Sequence, residues 1–190
     1  MQPDYYADLT LRSAAGVTVP VIASAVMQIL HSVFTENPNR YALAFPAMKM
    51  GDAPTPGHIL RLFSESRDEI ETASDRIEQN TRLSPFVITG RIRRTPEQYE
   101  GEWVEYQRYR VPARRGKSEE HQEKRLRLRA KRLEEARNLP YFLLSSASTQ
   151  QSFSIMIQQH IYPSRIEPTG STDSYGLSRK EAPLLLPRLG

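Results

Sequence analysis

The chain has four imidazoles, His31, His58, His121 and His160, and no two of them fall at H-x-H or H-E-x-x-H spacing. D-x-D is absent as well, so no short motif gathers the ligands a metal-dependent nuclease needs, and neither a metal nor any other cofactor is expected. No glycine-rich phosphate loop of the G-x-G-x-x-G or G-x-x-x-x-G-K-[ST] type occurs. One reaction needs neither device. RNA carries its own nucleophile, the 2′-hydroxyl, which attacks the adjacent phosphorus once a base takes its proton and nearby donors hold the phosphate in line. A histidine with an ordinary pKa near about 6.5 suits that task. His31 is one candidate for that role, and an ordinary residue near a helix end is the plainer reading. The stretch Ser145-Ser146-Ala147-Ser148-Thr149-Gln150-Gln151-Ser152-Phe153 offers hydroxyls and amides for a phosphate and a ring to stack on a base. It also reads as a polar hairpin turn.

Charge points to a polyanionic partner. Residues 108 to 132 hold eleven basic side chains (Arg108, Arg110, Arg114, Arg115, Lys117, Lys124, Arg125, Arg127, Arg129, Lys131, Arg132) against three acidic ones, or +8. The whole chain carries +4, so the remainder sums to −4. A positive band on a mildly acidic body, with a pI of 9.4, is the footprint of a nucleic-acid binder; a solvated helix face that binds nothing is the plainer reading.

Positioning these groups requires elements that the pattern supplies. Residues 5 to 12 alternate as a strand. Pro20 opens a helix whose apolar residues Val21, Ile22, Ala25, Val26, Ile29, Leu30, Val33 and Phe34 recur at helical spacing until the Asn37-Pro38-Asn39 turn, with His31 near its end, off the main stripe. Strands are predicted over 41–45 and 58–63, a polar helix over 66–80, and a strand over 86–93 broken at Gly90. The order β-α-β-β-α-β predicts a ferredoxin-like domain over 1–96 within an α+β fold. A second, RNA-binding domain is expected over 97–190. It opens with a strand over 102–111 that points Arg108 and Arg110 to one side. A helix follows, capped by Ser118 and stopped by Pro140. On it Arg125, Arg129 and Arg132 form a basic face, and Leu126, Ala130 and Leu133 form a thin apolar stripe for docking on a sheet. Strands over 141–145 and 153–159 and a punctuated tail containing Ser174-Tyr175-Gly176-Leu177 complete the chain.

With 190 residues there is length for one domain or two small ones, and the absence of cysteine excludes disulfides and thiolate metal sites. No basic leader precedes an apolar segment and no window approaches eighteen apolar residues, so a soluble, cytoplasmic protein without a membrane partner is expected.

The segment LPYFLLSSASTQQSFSIMIQQH followed by SYGLS resembles the C-terminal signature of the type I-F CRISPR repeat endoribonuclease family. The helix carrying Leu30-His31, the Ala-Phe-Pro at 44–46, the paired-arginine strand and the basic helix fall in the same order and extend the resemblance over nearly the whole chain. The resemblance implies that the arginine helix lies along an RNA hairpin stem and enters its groove near the loop end. It implies His31 as general base on the 2′-hydroxyl, Ser146 holding the ribose and Tyr175 orienting the histidine. Ser148 and Thr149 would contact the scissile region and Phe153 would stack on the base before the cut. It further implies RNA-binding roles for Arg108, Arg110, Arg114, Arg115, Arg125, Arg129 and Arg132, a 2′,3′-cyclic phosphate product, and retention on the cleaved RNA beside other subunits of an interference complex. The family pattern before the helix is Arg-x-Gln, whereas this chain has Arg108-Tyr109-Arg110. Arginine favours guanine acceptors where glutamine favours adenine, so the base pairs recognised there are expected to differ. Two other functions fit the same residues: a non-cleaving subunit that holds an RNA hairpin in an effector or transposition complex, and a basic assembly protein whose RNA binding is weak and insensitive to salt.

Overall fold

The computed structural model describes residues 1–112, 122–146, 149, 151–164 and 170–190. Ser118, Arg114, Arg115 and Ser148 lie outside the described residues. The first element is strand β1 (Tyr5–Leu11), followed by helix α1 (Val19–Glu36), β2 (Tyr41–Ala44), β3 (Ile59–Ser64), α2 (Arg67–Glu78), β4 (Val87–Thr89) and β5 (Arg93–Arg94). These strands form one antiparallel sheet in the order β2-β3-β1-β4, with β5 also paired to β1. Connectivity and strand order are those of the ferredoxin-like arrangement, in an α+β fold. The single strand expected over 86–93 is two short ones. Gly90 N–H donates to Asp8 O at 2.7 Å, and a Cβ at Gly90 would come within 3.1 Å of that oxygen. Glycine lets the edge lie that close to β1 where the pairing breaks.

The sequence accounts for α1 directly. Pro20 sits in the first turn, where its missing N–H costs nothing, and Ile22, Ala23, Val26, Met27, Leu30, Val33 and Phe34 are buried along one face. At the other end both the backbone N–H and the side-chain amide of Asn37 donate to Val33 O. Although α1 is interrupted by polar residues such as Ser24, Gln28 and His31, its mean hydropathy is 1.3 over eighteen residues, long and apolar enough by composition to cross a membrane. Here its seven buried residues belong to the protein core.

The second sheet runs in the order β7-β8-β6-β9, from β6 (Trp103–Tyr109), β7 (Tyr141–Ser145), β8 (Ser152–Tyr162) and β9 (Leu186–Pro187). Strand β8 is longer than the alternation predicts, because it pairs with β6 through Trp103↔Tyr162 as well as with β7. The two sheets share one core. Phe45 packs edge-on to Tyr106 at 5.0 Å and beside Phe142 at 5.7 Å, and Tyr106 Oη donates to Phe45 O. The tail is pinned to the first sheet by Arg61, which is 4% exposed. It makes a two-pronged ion pair with Asp8 at 2.6 and 2.9 Å and donates to Leu189 O. Burial opposes the charge on Arg61, but hydrogen bonding to Asp8 and its negative charge outweigh that, and the guanidinium pKa is raised.

Helix α3 (Gln122–Ala136) corrects the predicted docking face. No residue of α3 is buried, and Leu126, Leu128 and Leu133 are 43–48% exposed. The half-buried positions are Gln122, Arg125, Arg129, Arg132 and Ala136, so the arginine stripe turns toward the body and the leucines face outward. Arg132 lies over the ring of Tyr109 at 4.9 Å, Arg129 donates to Pro112 O, and Tyr109 Oη donates to Glu135. Flat guanidiniums find an aromatic face and a carbonyl there, which leucines could not use.

Candidate active site

His31 is placed by α1 and completed by the tail. Its Nδ1 lies 2.7 Å from Ser174 O. A carbonyl oxygen only accepts, so Nδ1 carries the proton of this bond, and in the neutral ring the lone pair is on Nε2. Tyr175 stacks on the imidazole with centroids 4.1 Å apart and planes 8° from parallel. Burial raises the Tyr175 phenol pKa, Arg108 works against that shift and Asp173 adds to it. The guanidinium of Arg108 lies 5.5 Å from the same ring. An imidazole, a phenol ring and a guanidinium therefore meet at the junction of α1, β6 and the tail.

The turn carrying Tyr175 is held from both sides. Asp173 Oδ1 accepts from the N–H groups of Tyr175 (2.9 Å) and Leu177 (3.1 Å), and Gly176 O accepts from Leu43 N–H of β2 at 2.9 Å. Gly176 has φ +71°, and a Cβ there would lie 2.9 Å from Phe34 Cε2. Position 176 therefore needs glycine both for its backbone and for its space. Behind it Ser178, from the same Tyr-Gly-Leu-Ser run, donates to Glu105 at 2.7 Å and accepts from Leu184 N–H at 2.9 Å. Glu105 is 2% exposed and also accepts from Gln107 and Tyr162. A buried carboxylate satisfied by three neutral donors thus ties the Tyr175 loop to β6.

Two residues that sequence reading missed join α1 to the second sheet. Ser24 Oγ accepts from Leu143 N–H at 3.2 Å, and Gln28 Nε2 donates to Ser145 O at 3.1 Å. With His31 they occupy positions i, i+4 and i+7 of one polar stripe, and they satisfy backbone groups on the edge strand β7. A polar stripe beside the apolar one was the signal available. Through Gln28 the helix bearing His31 touches the residue next to Ser146. Ser146 itself is half-buried, its N–H donates to Gln151 O, and its Oγ accepts from the exposed Thr149 N–H at 3.3 Å. Phe153 is half-buried and packed on the core.

A groove of about 960 Å³ includes Ser174, whose carbonyl oxygen bonds His31. Arg108, Arg110, Arg132, Arg179 and Lys180 line it. The structure thus gathers three of the predicted arginines, whereas Arg125 and Arg129 lie on the inward face of α3 outside that lining. Among the described residues no three of His, Asp or Glu converge as metal ligands.

A family model for a CRISPR-associated protein (Cas_Csy4) matches residues 6–184. Comparison with curated proteins gives no match. Among solved structures, the crystal structure of a protein assigned as a chlorite dismutase is similar at 13% identity, covering 81% of this chain and 78% of that one, with a TM-score of 0.32. A likeness at that score carries no argument.

Proposed function

Because this chain belongs to the Csy4 family of CRISPR-associated proteins, a family that processes CRISPR repeat RNA, we propose that it is a metal-independent endoribonuclease of the type I-F system, acting in the cytoplasm. It binds the repeat hairpin and cuts at the 3′ base of the stem. The observation that supports this reading best is the hydrogen bond from Nδ1 of His31 to Ser174 O, which leaves Nε2 as the basic atom of the neutral ring. Nε2 takes the proton from the 2′-hydroxyl, the 2′-oxygen bonds to phosphorus, and the bond from phosphorus to the 5′-oxygen breaks. The departing oxygen takes a proton from solvent and the imidazolium returns its own to solvent, so the products are a 2′,3′-cyclic phosphate and a 5′-hydroxyl.

Tyr175 holds the imidazole plane, Ser146 holds the ribose, and Thr149 and Ser148 contact the scissile region. Phe153 stacks on the preceding base. Arg108 and Arg110 fork toward the base of the stem, while Arg132, which lines the same groove, serves its backbone with Arg114 and Arg115. The cleaved RNA stays bound and carries the protein into a complex with other interference subunits.

The test is incubation with the repeat RNA in excess chelator, followed by sizing and end-group analysis. A single cut leaving a cyclic phosphate is expected. A 3′-hydroxyl end, or activity only with added metal, overturns the reading.

A further inference from the structure

The groove that includes Ser174 holds two further cations. Arg179 and Lys180 follow directly on Ser178, are exposed, and line the same groove as Arg108, Arg110 and Arg132. Arg179 is not a loose surface side chain: its Nε donates to Thr172 O at 2.8 Å, and its backbone N–H donates to Ser171 O at 3.0 Å. Thr172 is itself buried and donates to Tyr41 O. The guanidinium is therefore set by the same framework that sets the Tyr175 turn. The two carboxylates in the lining leave the balance positive. Five cations, Arg108, Arg110, Arg132, Arg179 and Lys180, stand against Asp173 and Glu181.

We infer that Arg179 and Lys180 are an RNA phosphate-binding pair, gripping the backbone within a few nucleotides of the cleaved bond in the groove they share with Arg108 and Arg110. The inference rests on the proposed endoribonuclease reading and extends it to residues outside the strand and helix of the basic band. Ser174, whose carbonyl oxygen bonds His31, lines the same groove as Arg179 and Lys180, which ties the pair to the site of the imidazole. The chemistry needed is neutralisation of backbone charge, without base readout.

The experiment measures hairpin affinity of the full chain across a range of salt, with single-turnover cleavage alongside. R179A/K180A is compared with R67A/R82A, which removes the same charge from exposed positions outside the groove. The groove variant is expected to bind roughly tenfold more weakly, with its log–log salt slope shallower by about 1 per lost contact, for every stem sequence alike. An unchanged slope, or an equal change in R67A/R82A, overturns the inference while wild-type cleavage leaves the endoribonuclease reading standing. Absence of hairpin binding by the wild type overturns both.

Discussion

The imidazole of His31 and the phenol ring of Tyr175 lie face to face, 4.1 Å between centroids and 8° between planes. Burial raises the phenol pKa, so in the proposed reaction the ring is a flat support and not a base. Tyr175→Phe keeps that support and is expected to cleave within a few-fold of the wild-type rate. Tyr175→Ala releases the ring and is expected to lose roughly 100-fold, since small misplacements of a reacting group cost about that much. Single-turnover rates check both, with equal losses in the two variants counting against a platform role.

Gly176 fixes the turn behind that platform. An alanine there meets Phe34 Cε2 at 2.9 Å and must hold φ +71°. Gly176→Ala is expected to cost about 2–4 kcal/mol of stability, combining backbone strain with overpacking. Denaturant melts read the loss directly, and an unchanged midpoint would mean that α1 and β2 yield there.

The buried carboxylate of Glu105 reaches the same loop through Ser178. Glu105→Ala strands the buried hydroxyl of Ser178, at roughly 1–3 kcal/mol, and takes the acceptor from the half-buried Tyr162. Glu105→Gln keeps an acceptor and is expected to retain most of that stability. Cleavage should fall with Glu105→Ala and recover in Glu105→Gln, read by melting and by single-turnover rate in parallel.

Alkaline pH offers an independent check on the core. Tyr41 is 2% exposed, and burial, reinforced by Glu69, pushes its phenol pKa up to about 12 from 10.0. The folded-state pKa exceeds the unfolded one, so this contribution is complete below about pH 10 and is lost as pH rises toward 12. Two pKa units correspond to roughly 2–3 kcal/mol. The slope of stability against pH in that window should flatten in Tyr41→Phe; an unaltered slope would place the titration elsewhere.

What the chain reveals on its own is mostly local. Helix α1 is legible because Pro20, the apolar spacing and Asn37 all agree on its limits, and β7 because Tyr141–Ser145 is a short run bounded by Pro140 and a hydroxyl-rich turn. The face of α3 is misread because the rule that apolar residues turn inward fails where Tyr109 and Pro112 O offer partners to arginines. Strand β9 and the Glu105–Ser178 bond join residues 73 or more positions apart, and no periodicity records such pairings. His31 was visible as an imidazole near a helix end, but its partners Ser174 and Tyr175 came only from the resemblance and the fold.

The central claim is that Nε2 of His31 removes the 2′-hydroxyl proton. Its most direct test is the single-turnover cleavage rate of His31→Ala on the repeat hairpin in chelator, measured with the affinity of the same variant. The account predicts a rate lower by roughly 100- to 10,000-fold, the span of general-base catalysis, with hairpin affinity essentially unchanged. Cleavage by His31→Ala at the wild-type rate would contradict it.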